Sequence, residues 1–378
     1  MSEYQYYEFR AIDRPLTPEA QRAVAALSSR VAPHPRRAIF TYSFGGDLPR
    51  SAEDVLVDYY DALLYLTNWG SRQLMFRFPA TLVDAEKLRQ YNIVTRTYPY
   101  DAIDVSTRSA YVILDIQLDE EEGWDWIEGE GWLDSLVGLR EAVLQQDYRM
   151  LYLAWLKGLT LAGDVDEEAQ EPPVPPRLRT MSPALERFIE LFDVDDDLIQ
   201  VAAERSGVLD DGISDDDLLR AIAQLPAEER DAFLLRLAKG EPHLSLALNR
   251  RLGLLSNVSK GEATQRRSVG ALFAAVKALR EHRRKERAAA VEAKRLADLK
   301  ALAGQEDETW CEVDALIQRS QSKAYEEAVR LLKRLQDLAE YQNRQSAFEE
   351  RLDQIRDQYS RRRALMRRLR EAGLIGAQ

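Results

Sequence analysis

Cysteine is almost missing from this chain: Cys311 is the one such residue among 378. A lone thiol cannot cross-link a domain, so no disulfide framework is expected. Histidine is scarce as well, with His34, His243 and His282 far apart and no C-x-x-C or H-x-x-x-H pair. A zinc site would need ligands converging from distant segments, and none is expected. The absence of any run of about 18 apolar residues argues against a membrane-spanning helix. The opening MSEYQYYEFR has no basic stretch followed by an apolar one. A secretory signal is therefore not expected, and the cytoplasm is the expected compartment. Neither G-x-x-x-x-G-K-[ST] nor G-x-G-x-x-G occurs, and Gly45-Gly46 reads as a turn. Nucleotide hydrolysis by a known phosphate loop is excluded, and no cofactor is expected.

Charge is unevenly spread. The formal net charge is −12, yet residues 260–378 carry 26 Lys and Arg against 19 Asp and Glu, which is +7 and leaves −19 on residues 1–259. Such asymmetry marks an acidic body with a basic arm, or two halves that meet different partners.

The first 160 residues alternate strand-like and helix-like segments. Residues 4–12 place Tyr7, Phe9 and Ala11 on one face and Glu8 and Arg10 on the other. Thr17-Pro18-Glu19 is a helix start, with a hydroxyl cap, proline at the first position and an acid in the first turn. A strand is predicted over 39–44. Ser51 caps a helix whose apolar positions are Val55, Tyr59, Leu63 and Leu66. Further strands are predicted over 73–78, 92–98 and 109–117, and a long helix over 132–160. Four prolines in the charged segment 163–180 predict a linker. Everything after it reads helical, and the stretch REHRRKERAAAVEAKR lacks an apolar stripe through Arg287, so it should face solvent.

The expected fold is an α+β N-terminal domain, with an antiparallel or mixed sheet and a ferredoxin-like sandwich as its leading form, followed by an all-α C-terminal half with long helices. The expected division is 1–162 for the α+β domain, 163–180 for the linker, 181–258 for a small helical domain, and 259–378 for a long helical arm and hairpin. A heptad seam is not sustained, so no coiled-coil dimer is asserted, and the oligomeric state stays open.

Residues 308–374 carry Trp310, Tyr325, Ala328, Leu331, Leu332, Leu335 and Leu338, then Phe348, Leu352, Ile355 and Arg361 to Arg363. This segment resembles the helical tail of bacterial SWIM zinc-finger proteins and of other uncharacterised bacterial proteins. Residues 193–256, with DLIQVAAERSG and AEERDAFLLRLAKGEPHL, resemble the segment that precedes that tail. EYQYYEFRAIDRPL is similar to the opening of another group of uncharacterised bacterial proteins. The C-x-C and H-x-H of the zinc finger are absent, so what the finger binds does not carry over. The resemblance implies a helical scaffold with paired helices stacked somewhat as in tetratricopeptide units, although no fixed 34-residue period is present.

Candidate chemistry is thin. Cys311 lies near a helix start, where thiol pKa values fall, but no histidine is close in sequence, and a small buried or half-buried residue is the favoured reading. Asp193, Asp195 and Asp197 with Glu204 match calcium-loop spacing, but Leu198 stands where the loop needs glycine. An acidic helix start is favoured instead. Trp124 and Trp126 among acids form a candidate protein-binding hot spot, against tryptophans that pack on the core. Arg283, Arg284, Lys285 and Arg287, and Arg361, Arg362, Arg363, Arg367 and Arg368, are candidates for binding nucleic acid or another partner, against a solvated helix face or docking onto the acidic half. The expected function is a non-enzymatic interaction or scaffold protein of a bacterial cytosolic complex, with other proteins as partners and no membrane. The alternatives are a nucleic-acid-binding protein using the basic helical arm, and an enzyme of unrecognised type.

Overall fold

In β1 (Tyr4–Arg10) the side chains alternate as extended backbone requires, but both sides are buried. Tyr7 and Phe9 enter one apolar cluster and Tyr6 enters another. The same division runs through β3 (Ala62–Thr67), β4 (Ser71–Pro79) and β6 (Tyr111–Asp119). Leu64, Leu74, Phe76, Phe78, Leu114 and Ile116 face one core, while Leu63, Met75 and Ile113 face the other. With β2 (Arg37–Ser43) and β5 (Ile103–Arg108) these strands form one sheet in the order β2-β1-β3-β4-β6-β5, every neighbouring pair antiparallel. The computed structural model describes residues 3–376 except 30, 32, 44, 94–101, 120–126, 163–164, 208–214 and 254–265.

The chain divides into two units, Met1–Leu279 and Arg280–Gln378. In the first, α1 (Pro18–Ala25) and α2 (Ala52–Tyr59) supply Val24, Val55 and Leu56 to the smaller core. The hydroxyls of Thr17 and Ser51 cap these helices by accepting the Ala20 and Asp54 N–H. The short α3 (Ala85–Arg89) buries Leu88 in the larger core. That core also takes in α4 (Trp132–Leu136), α5 (Gly138–Leu144), α6 (Arg149–Leu161), α7 (Pro183–Phe192) and α8 (Asp196–Ala203), together with Leu272 and Val276 from the start of α12 (Val269–Ala303). Between α8 and α12 lie α9 (Asp215–Ala223), α10 (Ala227–Ala238) and α11 (Leu244–Arg251).

The α+β N-terminal fold and the helical C-terminal half are as expected, with particular differences. A ferredoxin-like sandwich has a parallel central pair, whereas no parallel pair occurs among the described strands. Leu63 and Leu66 lie in β3, not in the helix that Ser51 starts. A short strand buried on both faces has no period-2 polarity to distinguish it from a helix. Strand β5 escaped prediction. Of the strand predicted over 92–98, only Asn92 and Ile93 are described, and Ile93 bridges to Ile103. The helix predicted over 132–160 is three helices.

The proline-rich stretch is not a free linker. Glu171 and Val174 are buried, and Leu178 joins the larger core. Tyr91 Oη donates to the Pro173 carbonyl at 3.0 Å, and Ser206 Oγ to the Pro175 carbonyl at 2.7 Å. With α7 and α8 in the same core as the sheet, residues 181–203 belong to the N-terminal unit.

The second unit contains α13 (Glu306–Gln318), α14 (Ser322–Tyr341), α15 (Gln345–Gln358) and α16 (Arg363–Glu371). Its core joins Trp310, Val313 and Ile317 to Tyr325, Leu332, Phe348, Leu352, Leu365 and Leu369. The Trp310 and Phe348 rings pack at a 43° tilt with centroids 5.7 Å apart, and the Arg351 guanidinium lies over Trp310 at 4.6 Å. Leu299 and Leu302 of α12 pack with Leu338. Residues 284–295 of α12 are all exposed, as the missing apolar stripe predicts.

Phe76 sits fully enclosed at the centre of the sheet. Phe76→Ala is expected to lower unfolding free energy by about 3–5 kcal/mol, read from the denaturant midpoint at unchanged slope. A loss under about 1 kcal/mol would mean that this core does not hold the sheet.

Candidate interaction surface

Helices α9 and α10 contain apolar side chains yet bury none of them. Leu219, Leu234 and Leu237 are each 63% exposed and Leu235 57%. Ile222, Leu225, Phe233, Leu234, Leu237 and Leu248 line a groove of about 400 Å³, in which Arg230 and Ser245 are the polar members. Scattered surface leucines are ordinary, but a contiguous apolar channel is not.

Local chemistry explains why these helices form without a core of their own. Pro226 precedes α10, where a missing N–H costs nothing, and Glu228 and Glu229 sit at its positive end. Gly240, with φ of +67°, permits the left-handed turn that ends the segment. Arg251 then pairs with Glu229 at 2.8 and 3.0 Å, tying α11 to α10. Helix α11 is anchored in turn by Leu246 in the larger core and by Arg250, which donates to the Thr81 carbonyl at 2.9 Å and to that of Leu82.

A buried ionic network lies at the root of α11. The Arg140 guanidinium, on α5, donates to both Asp13 carboxylate oxygens at 2.7 and 2.9 Å and to the Arg77 carbonyl at 2.8 Å. Asp61 accepts the N–H groups of Ile12 and Asp13 at 2.7 and 2.9 Å, and Arg77 Nη2 at 2.7 Å. His243 Nε2 lies 2.8 Å from Asp13 Oδ1. Burial pushes the Asp13 carboxyl up, but hydrogen bonds and charges from His243 and Arg140 outweigh it and hold Asp13 below the usual carboxylate range. Two carboxylates face two guanidiniums, and their oxygens are engaged by donors within the fold. This is the geometry of a clamp. A second buried pair, Glu171 with Arg267 at 2.6 and 2.9 Å, also accepts the Tyr152 hydroxyl.

Asp115 has a different setting. Gln73 Nε2 donates to both its oxygens at 2.9 and 2.8 Å, and Asp104 is its partner across β5 and β6. Burial pushes its pKa up to about 7, with Asp104, Glu53 and Asp119 adding repulsion against the lowering effect of Gln73.

The residues singled out from sequence are scattered. Cys311 is exposed, against the buried or half-buried reading. On α13 the inward positions are Trp310, Val313 and Ile317, which turns position 311 outward. Asp195 caps α8, accepting the Asp197 and Leu198 N–H at 2.8 and 3.1 Å, so the acidic run is a helix start. Trp124 and Trp126 lie outside the described residues. Arg284, Lys285 and Arg287 stand exposed on α12 with Arg283 partly covered, whereas Arg361, Arg362, Arg363, Arg367 and Arg368 surround α16. No group of three or more His, Cys, Asp or Glu able to hold a metal ion is found among the described residues. No helix among them is long and apolar enough to cross a membrane. Sequence reasoning passed over the groove, although FLLRL in α10 offers more apolar positions than one narrow buried stripe requires.

Comparison of the chain with protein-family models, with curated proteins and with solved structures finds no match.

Two predictions follow from the charges. Arg140→Met leaves Asp13 and Asp61 short of a buried partner, and a loss of about 3–5 kcal/mol in urea unfolding is expected. For Asp115, a folded pKa raised to about 7 means that its contribution to stability is full below the unfolded value near 4 and is lost as pH rises through 7. Asp115→Asn should therefore gain thermal stability over the parent progressively between pH 5 and pH 8. A Tm difference that stays constant across that interval would contradict this assignment.

Proposed function

We propose that this chain is a non-enzymatic interaction protein of a bacterial cytosolic complex, and that the groove between α9, α10 and α11 docks the apolar face of an amphipathic helix of another protein. The carrying observation is the apolar channel lined by Phe233, Leu234, Leu237 and Leu248, with Leu234 and Leu237 each left 63% exposed. Covering such a side chain, already partly shielded, contributes about 1–2 kcal/mol before the cost of association, so the groove lining acts together as the anchor. A helix laid into a groove presents residues at i, i+3, i+4 and i+7, and Arg230, Phe233, Leu234 and Leu237 line the groove at that same spacing. Asp215, Asp216 and Glu228 at the starts of α9 and α10 favour an amphipathic partner with basic flanks. The buried ionic networks support the same reading, because their charged groups are engaged within the fold.

The paired variant Leu234→Glu/Leu237→Glu should leave the far-ultraviolet circular dichroism unchanged, since both side chains already face water. It should also abolish capture of the proteins that the parent chain retains from nuclease-treated extract of its host. Equal capture of the same proteins by parent and variant would remove the groove as the docking surface.

A further inference from the structure

Six arginines fall within residues 361–370, and the nearest acid in that helix is Glu371. They do different things. Arg362 donates to the Ile317 carbonyl, contacts Tyr325 Oη at 3.3 Å and lies over the Tyr359 ring at 4.8 Å. Arg368 donates to Ser322 Oγ at 2.6 Å and to Glu326 at 3.1 Å. These two pin α16 to α13 and α14. The face carrying Leu365, Met366 and Leu369 is buried in the core. On the remaining face Arg363, Arg367 and Arg370 follow at i, i+4 and i+7, which places them in one row. Arg361, Arg363 and Arg370 are exposed and make no ion pair among the described residues, and Arg367, with its side chain 67% exposed, reaches Glu371 only at 3.5 Å. Exposed Arg319 and Lys323 lie beside Ile317 and Ser322, the residues that α16 grips.

We infer that this arginine row binds the phosphate backbone of a nucleic acid without reading its sequence. A row spanning i to i+7 covers about 10 Å of helix, about three axial steps of one strand at about 3.4 Å each, so three arginines lie within reach of neighbouring phosphates. Planar guanidinium groups match phosphate oxygens two at a time, which arginine does and lysine does not. Insertion into a lipid surface is disfavoured, because the apolar face of α16 is already consumed in the core. Backbone contacts of this kind position a nucleic acid and carry no base information. This inference stands apart from the α9–α11 groove.

The test is fluorescence anisotropy of labelled single-stranded RNA and labelled duplex DNA against the full-length protein from about 50 to 200 mM salt. The parent should bind at the low end, with affinity falling steeply as salt rises. Arg363→Glu/Arg367→Glu/Arg370→Glu should weaken binding at least about tenfold and reduce the salt slope by about 2–3, as three phosphate contacts require. Arg284→Glu/Lys285→Glu/Arg287→Glu on α12 should bind like the parent, and circular dichroism confirms that each variant is folded. No binding by the parent at low salt overturns the inference. So does undiminished binding by the α16 variant, or a loss confined to the α12 variant. Retention on anionic phospholipid vesicles without binding to either nucleic acid overturns it in favour of a lipid surface.

Discussion

A guanidinium sealed from water is tolerated only where carboxylates and carbonyls match it, and Arg140 imposes that requirement on the N-terminal unit. Its partners come from separate parts of the chain: Asp13 after β1, Asp61 before β3 and the Arg77 carbonyl in β4. A two-pronged contact with Asp13 fixes α5 in distance and in rotation, because both oxygens must meet the planar fork together. The same carboxylate meets His243, so the entry to α11 is set by the arrangement that seats α5. Apolar side chains of similar size can stabilise such a site as well, but they lack the directional hydrogen bonds of the planar fork.

The second buried pair explains a segment that composition misrepresents. Glu171 lies among prolines and other acids, a setting that reads as solvated chain. Arg267, just ahead of α12, neutralises it, Tyr152 fills another acceptor position, and a bridge between Gln170 and Ser268 lies alongside. The prolines then serve the packing. They hold an extended strap whose carbonyls accept from Tyr91 and Ser206, and they leave no unpaired N–H in the core.

In contrast to these buried pairs, two surfaces leave apolar or basic side chains in water. On α9 and α10 they are apolar, since helices with no buried side chain keep leucines in water. On α16 they are basic, since Arg362 and Arg368 pin the helix while Arg361, Arg363 and Arg370 make no ion pair among the described residues. Helix α10 is tied to α11 by the Glu229–Arg251 pair, and α16 is held by its buried apolar face with Arg362 and Arg368, so each leaves one face in water.

Much of the architecture was legible because it is local. Alternation in β1, β4 and β6, hydroxyl caps at Thr17 and Ser51, and the missing stripe of α12 are all written within a few residues. Strand β3 was not legible, since burial on both faces erases the period that separates strand from helix. The basic residues around α16 were visible as a cluster, but their division into pins and a free row depends on Ile317, Ser322 and Glu326, some forty residues away in sequence. The groove was hidden for the same reason, because whether a leucine is core or surface is decided by what packs on it. The sequence by itself determined the fold class, the helix starts and the charge contrast, through short-range periodicity and capping. Only the tertiary structure decided strand order, the fate of the proline-rich strap and which apolar and basic faces remain open, because pairing and burial join residues whose separation along the chain carries no signal.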